Sequence, residues 1–88
     1  MQFEPDEALR TICREIVACG WSEAEWAQRE SSDMFQLGAY CGGFDATEGE
    51  FCFEVNLDGV EHWFQFGLED ARRVSVGDLV RFEAREAG

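Results

Sequence analysis

The sequence predicts a small α+β domain in which the N-terminal helix packs on the Phe-rich face of an antiparallel sheet of three or four strands. Two patterns indicate this. Apolar residues near the N-terminus recur with the period of a helix, and an Asp-Gly turn in mid-chain joins two segments that alternate with the period of a strand. The 88 residues, 45% of them hydrophobic, suit one core and a single domain over 1–88, in the order α-α-β-β-β-α-β.

The first predicted helix covers residues 6–18. Its apolar residues fall at positions i, i+3, i+4, i+7 and i+8, which form one stripe of an amphipathic helix. Gly20 follows the stripe and ends the helix, as glycine commonly does just beyond a helical segment. We expect the apolar stripe to pack on the sheet.

A second, short helix is predicted from Ser22 to about Glu30. Ser22 and Glu25 have the spacing of a capping box, in which each side chain accepts a hydrogen bond from the other residue's backbone N–H. Trp21 and Trp26 occupy the two positions that pack together beside such a cap. We interpret the two indoles as a local hydrophobic clasp rather than as a platform for a ligand.

The first strand is predicted over residues 34–41, where the side chains alternate between two faces. This alternation places Phe35 and Cys41 on one face and Tyr40 on the other. Gly42-Gly43 and residues 45–49 are interpreted as the loop that ends the strand. If the strand pairs beside the following hairpin, Tyr40 extends the hairpin's exposed face.

The hairpin has the strongest local signal in the chain. Residues 51–57 and 60–66 are joined by Asp58-Gly59, which suits a two-residue type I′ turn, and such a turn fixes the register. One face then carries the pairs Leu57–Val60, Val55–His62, Phe53–Phe64 and Phe51–Phe66, and the other carries Asn56–Glu61, Glu54–Trp63 and Cys52–Gln65. The first is the predicted core side, and the second is a polar surface with one large aromatic residue.

The C-terminal part predicts a short helix and a final strand. Residues 68–74 begin with acidic residues and end with arginines, the distribution that a helix dipole favours. After a turn at Gly77-Asp78, residues 80–85 alternate as a strand. The neighbour of this strand in the sheet does not follow from the sequence.

Negative charge is concentrated in one part of the chain. There are 19 acidic and 7 basic residues, and every basic residue is Arg, for a formal net charge of -12. Between Arg29 and Arg72 lie ten carboxylates and no basic residue, so this segment supplies most of the net charge. Such a field favours a basic partner. It disfavours direct binding to nucleic acid or an anionic membrane, since nucleic-acid affinity comes from Lys and Arg.

Residues that would support catalysis or metal binding are not arranged in suitable patterns. The four cysteines (Cys13, Cys19, Cys41 and Cys52) lack the close spacing of a zinc knuckle. His62 is the only imidazole and is predicted on the core side, so no base adjoins Cys52 on the opposite face. The chain also lacks a P-loop and a dinucleotide-binding fingerprint. We therefore predict a protein that is not an enzyme and that uses no metal or cofactor.

The sequence predicts a cytoplasmic protein. Residues 1–7 are acidic and lack the basic and apolar regions of a secretory signal. No apolar run approaches the roughly 20 residues that span a bilayer. The cysteines are therefore expected to be reduced thiols.

The carboxylates of the hairpin predict a partner-binding surface. Some lie in the loop that precedes the hairpin, some on its outer face and one at its turn, so together they can form a line. Trp63 lies among them and is the expected anchor, since aromatic residues dominate the energy of many interfaces. The predicted partner-binding residues are Tyr40, Asp45, Glu48, Glu50, Glu54, Asp58, Glu61 and Trp63.

The leading hypothesis is a small acidic inhibitor that blocks the basic nucleic-acid-binding groove of an enzyme or effector complex by imitating nucleic acid. Residues on one strand face recur every ~6.6 Å, close to twice the ~3.4 Å rise of a duplex strand. By class, though without a matched family motif, the candidates are immunity proteins against nuclease toxins and phage anti-defence proteins such as anti-CRISPR or anti-restriction factors. The alternative is a cytosolic adaptor or homodimerising module that uses an aromatic sheet face, with acidity serving only solubility.

Overall fold

The computed structural model describes residues 1–29 and 34–87 and shows an α+β domain, as predicted. In chain order its elements are β1 (Gln2–Phe3), α1 (Glu7–Ala18), α2 (Glu23–Gln28), β2 (Met34–Leu37), β3 (Tyr40–Asp45), β4 (Glu50–Leu57), β5 (Val60–Phe66), α3 (Leu68–Ser75), β6 (Phe82–Glu83) and β7 (Arg85–Glu86). The described strands form a main antiparallel sheet in the order β2-β3-β4-β5-β7 and a small sheet of β1 and β6.

Helix α1 begins and ends close to the predicted residues. Asp6 caps its N-terminus, where the carboxylate accepts a hydrogen bond from the Leu9 N–H at 3.0 Å. The chain leaves the helix through Gly20, whose φ of +69° is a left-handed conformation that glycine adopts at low cost. The buried residues of α1 follow the predicted apolar stripe.

Helix α2 begins with the predicted capping box. The Ser22 hydroxyl accepts from the Glu25 N–H, and the Glu25 carboxylate accepts from the Ser22 N–H. The Trp21 and Trp26 rings pack edge to face, with their centroids 4.6 Å apart. The predicted end of this helix near Glu30 lies outside the described residues.

The central hairpin forms in the predicted register. All seven predicted pairs between β4 and β5 occur. Asp58 and Gly59 have φ angles of +55° and +81°, and positive values at both positions are what a type I′ turn requires. Turn geometry and hydrophobic pattern therefore select the same pairing.

Residues 34–45 form two strands, so the prediction of one strand over 34–41 followed by a loop is wrong. Strands β2 and β3 meet at a two-residue turn in which Gly38 has a φ of +60°. Glycine at the first central position is typical of one class of tight hairpin turn. The turn reverses the chain within the alternating pattern, and the pattern alone does not reveal it.

The extra turn also exchanges the predicted faces of Tyr40 and Cys41. Tyr40 pairs with Val55 on the core side, whereas Cys41 pairs with Glu54 on the solvent side. The predicted loop at Gly42-Gly43 is likewise wrong, because both glycines lie inside β3.

The core lies between the main sheet and helices α1 and α3. One cluster of buried side chains includes Leu9, Ile12, Cys13 and Ile16 of α1, Leu68, Ala71 and Val74 of α3, and Phe51, Phe53, Phe64 and Phe66 of the hairpin. The ring of Phe66 stacks on those of Phe51 and Phe53, with centroids 5.5 Å apart in each pair. The predicted packing of the N-terminal helix on a Phe-rich face is confirmed.

The C-terminal segment divides between the two sheets instead of forming one strand. Helix α3 forms close to its predicted position, after which β6 pairs with β1 and β7 adds to the edge of β5. Ala84 lies between the two short strands, and its N–H donates to the carbonyl of Met1 at 2.8 Å. Strand β1 is not predicted by the sequence, because two residues are too few to show an alternating pattern.

We predict that Gly42→Ala lowers the free energy of unfolding by about 2 to 3 kcal/mol. A Cβ at this position would overlap the carbonyl oxygen of Cys52 and lie 2.7 Å from the Cα of Phe53, and these main-chain atoms are held by the sheet. Urea unfolding followed by circular dichroism measures the change.

Gly67→Ser is the matched control for this substitution. A Cβ at Gly67 meets nothing within 4 Å, and serine suits the N-cap position of α3. We expect this variant to be as stable as the wild type or slightly more stable. Equal stability of Gly42→Ala and wild type would contradict the close approach of β3 and β4.

Candidate functional site

The outer face of the main sheet carries most of the predicted partner-binding surface. Side chains alternate along β4 and β5, so the phenylalanines point into the core and polar residues point outward. The outer face comprises Cys41, Gly43 and Asp45 of β3, Glu50, Cys52, Glu54 and Asn56 of β4, and Glu61, Trp63 and Gln65 of β5.

Six carboxylates follow this face and its two end turns, and we call them the acidic line. They are Asp45, Glu48, Glu50, Glu54, Asp58 and Glu61. Strand β4, along which they lie, has eight residues and therefore spans about 26 Å. Only Glu50 and Glu54 belong to β4 itself, about 13 Å apart, and the other four carboxylates lie on the neighbouring strands and in the two end turns.

Carboxylates of the acidic line lie beside one another on neighbouring strands. Asp45 is directly across from Glu50, which places their Cβ atoms about 5 Å apart. Glu54 and Glu61 are diagonal neighbours, with Cβ atoms about 7 Å apart. Like charges at such separations repel, so a basic partner that binds here relieves the repulsion.

Side-chain hydrogen bonds hold the turns at both ends of the acidic line. Asp45 Oδ1 accepts from the N–H of Thr47 at 2.9 Å and from that of Glu48 at 3.4 Å. At the other end, Asn56 Oδ1 accepts from the Gly59 N–H at 3.0 Å. The backbone that carries the outermost carboxylates is therefore fixed in the free protein.

Ion pairs between the described residues lie away from the acidic line. They join Arg14 to Glu7, Arg72 to Glu69, Arg73 to Asp70 and Asp78, Arg81 to Glu4, and the N-terminal ammonium to Glu83. Within residues 1–29 and 34–87, no ion pair reaches any of the six carboxylates. Two arginines nevertheless lie near the acidic line, since Arg29 lines a depression together with Asp45 and Glu54, and Arg85 lines a groove together with Glu50.

A depression of about 510 Å³ lies on the outer face between β3, the turn that follows it and β4. Its lining includes Gly42 and Gly43 of β3, Asp45 and Glu54 of the acidic line, and Arg29 at the end of α2. Burial raises the pKa of the Cys52 thiol in this depression, and the charges of Asp45, Glu54 and Glu48 raise it further. The carboxylates that act on the Cys52 pKa therefore all belong to the acidic line.

Trp63 is half-buried on the outer face and contacts Arg85 of the edge strand β7. The two residues pair across β5 and β7, and the guanidinium carbon lies 5.6 Å from the ring centroid. A cation over an indole at this distance is attracted by the ring. Among the described residues Arg85 forms no ion pair, so the indole is its side-chain partner.

Tyr40 does not belong to this surface, which corrects the sequence prediction. Only 3% of the residue is exposed, and its ring lies 6.1 Å from that of Phe64 in the core. Burial raises the pKa of its phenol, and the negative charge of Asp6 adds to the effect. Tyr40 therefore links β3 to the start of α1 instead of facing a partner.

The reactive side chains of the described chain are dispersed. His62 is 7% exposed on the core side, with Nδ1 2.9 Å from the carbonyl oxygen of Val60. Cys52 lies on the opposite face of the sheet, so His62 cannot serve as its base. Burial raises the pKa of Cys13 to about 12. Across residues 1–29 and 34–87, no three or more His, Cys, Asp or Glu side chains are grouped to hold a metal ion.

The sequence analysis did not place two residues, Arg85 and Cys41, on the outer face. Arg85 was not predicted because the sequence does not show which strand lies beside the final strand. Arg85 reaches Trp63 only through the pairing of β7 with β5. Cys41 was assigned to the wrong face because the turn at Gly38 was not recognised. A glycine interrupting an alternating pattern was the available signal for the turn.

Comparisons with known proteins identify no relative: no family model, no curated protein sequence and no solved structure matches this chain. None of the helices in the described part is long and apolar enough to cross a membrane. The geometry and charge of the outer face are therefore the grounds for assigning a function.

We predict that Glu54→Gln increases the rate at which iodoacetamide alkylates Cys52 at pH 8 by about twofold to threefold. Removing a nearby negative charge lowers the pKa of the thiol and so increases the thiolate fraction, which is the reactive form. Peptide mass spectrometry measures Cys52 separately from the other three cysteines.

Glu61→Gln is the control, because it removes the same charge from the same face but Glu61 is not among the residues that raise the pKa of Cys52. Its alkylation rate should stay close to that of the wild type. An equal increase of the alkylation rate in the two variants would contradict a specific effect of Glu54 on the Cys52 pKa.

Proposed function

We propose that this protein is a non-enzymatic inhibitor that binds a basic nucleic-acid-processing enzyme or effector complex and occupies its nucleic-acid groove. One observation supports this most strongly: the acidic line forms no ion pair among the described residues, whereas arginines elsewhere pair with other acids. Solubility depends on net charge and does not require that these six carboxylates stay out of ion pairs. A concentrated negative surface is what a positive groove complements.

The average charge density of the acidic line supports nucleic-acid mimicry. Its six carboxylates are distributed over a length of about 26 Å, which corresponds to roughly eight base pairs. Averaged over that length, they amount to about one charge per 4 Å, and a single nucleic-acid strand carries one phosphate per ~3.4 Å of duplex axis. The carboxylates are not evenly spaced, so they match the phosphates in total charge and not one by one.

The rigidity of the face also favours this function. The acidic line lies on paired strands and on turns closed by their own hydrogen bonds. A partner therefore spends little free energy on ordering the backbone of the interface. Trp63, half-buried near the centre of the face, supplies apolar area for an anchor.

Nuclease-toxin immunity proteins and phage anti-CRISPR or anti-restriction proteins both fall within the proposal, because each class has to bind a protein that itself binds nucleic acid. Their targets act in the cytoplasm, and we place this protein there as part of the same proposal. The alternative of a homodimer or adaptor built on an aromatic face is less well supported, because Tyr40 is buried and leaves Trp63 without the aromatic neighbour that such a face requires.

We predict that binding to the partner weakens steeply between 50 and 300 mM NaCl, and that Glu54→Gln with Glu61→Gln raises the Kd about tenfold. Tagged protein incubated with nuclease-treated extract of the native host should retain a basic nucleic-acid-processing protein, identified by mass spectrometry. Duplex DNA added to the retained complex should release that protein, since both compete for one groove.

Glu4→Gln with Glu7→Gln is the matched control, because it removes two charges that are already ion-paired with Arg81 and Arg14. This variant should bind like the wild type. Equal binding by the two double variants, or a complex that duplex DNA does not release, would contradict the proposal.

A further inference from the structure

A second, smaller groove lies beside Trp63, on the side of the sheet edge. It has a volume of about 220 Å³ and is lined by Glu50, Trp63, Phe64, Gln65, Glu83 and Arg85. Glu50 belongs to the acidic line, whereas Glu83 comes from β6 and approaches from beyond the edge of the main sheet. The groove therefore joins the outer face to a carboxylate from the small second sheet.

The lining of this groove matches the chemistry of a guanidinium group. Trp63 offers an indole on which a planar cation can stack. Glu50 and Glu83 offer carboxylates, and the Gln65 amide offers a further acceptor. Glu83 already uses Oε1 for the N-terminal ammonium, at 3.2 Å, which leaves Oε2 for another donor.

The chain itself places a guanidinium on this indole. Arg85 lies over the Trp63 ring at 5.6 Å and, among the described residues, forms no ion pair, although Glu50 and Glu83 line the same groove. The Arg85 guanidinium is therefore held by the Trp63 ring and not by a carboxylate. Arg85 is exposed on a strand of two residues, so its side chain can be displaced without loss of the fold.

We propose that the groove beside Trp63 binds an arginine side chain of the basic partner, which displaces Arg85 and takes its place on the indole. Arginine fits better than lysine, because its flat guanidinium stacks on the ring and donates to carboxylates at the same time, whereas an ammonium is a compact and strongly hydrated charge. The inference rests on the proposed function, and it specifies which basic side chain the partner inserts.

Fluorescence anisotropy with labelled hexa-arginine and hexa-lysine peptides tests the inference. The two peptides carry the same charge, so their general electrostatic attraction to the acidic line is alike and cancels in the ratio of their Kd values. We expect the wild type to bind hexa-arginine about threefold to tenfold more tightly than hexa-lysine. Trp63→Leu should abolish this preference while leaving the Kd for hexa-lysine within about twofold.

Glu50→Gln and Glu48→Gln form a matched pair for locating the groove. Both remove one charge from the acidic line, but only Glu50 lines the groove. Glu50→Gln should reduce the preference for arginine, and Glu48→Gln should weaken both peptides equally. Arg85→Gln should increase the preference, because it removes the competing guanidinium.

Three results would overturn the inference: equal affinity of the wild type for the two peptides, an arginine preference that survives Trp63→Leu, or no change in preference in Arg85→Gln. If the two peptides bind equally but Glu54→Gln with Glu61→Gln still weakens the binding of both, the groove does not select arginine. The proposed function then still stands. Failure of both peptides to bind at 50 mM NaCl would overturn both the inference and the proposed function.

Discussion

The register of the β4–β5 hairpin is the constraint on which the rest of the structure depends. The Asp58-Gly59 turn sets it, and four phenylalanines then meet on the side that α1 and α3 cover. A slip of one residue would bring Glu54 and its outer neighbours into the core and the phenyl rings into water. The hydrophobic core and the acidic face are thus two consequences of one pairing, and neither can shift without the other.

This arrangement lets the protein carry a face of like charges. Repulsion between Asp45 and Glu50 or between Glu54 and Glu61 opposes folding, but exposed charges in water interact weakly. Stacked rings and buried helix residues on the other side of the sheet outweigh that cost. Four of the arginines (Arg14, Arg72, Arg73 and Arg81) pair with acids of the helices and of the N-terminal segment, not with the acids of the outer face.

Local signals of the sequence predicted the helices, the capping box of α2 and the central hairpin, because each depends on residues close together in the chain. The capping box at Ser22 and the Asp58-Gly59 turn are of this kind. Long-range placement was not predictable: Arg85 reaches Trp63 only because β7 joins β5, and no local pattern specifies that neighbour. Tyr40 was misplaced for a different reason, since a single glycine turn at Gly38 reverses which side of the sheet each later residue faces.

The pleat of β4 and β5 divides the hairpin into two sets of positions that can evolve separately. Alternate residues are fixed by packing, and the intervening ones, such as Glu54, Glu61 and Trp63, contact solvent and each other. Substitutions at the second set can change charge and shape without disturbing the rings beneath them. Under the proposed function, a lineage whose target changes can therefore alter the binding surface while keeping the same fold. The same separation makes the hairpin a practical scaffold for retargeting by mutagenesis.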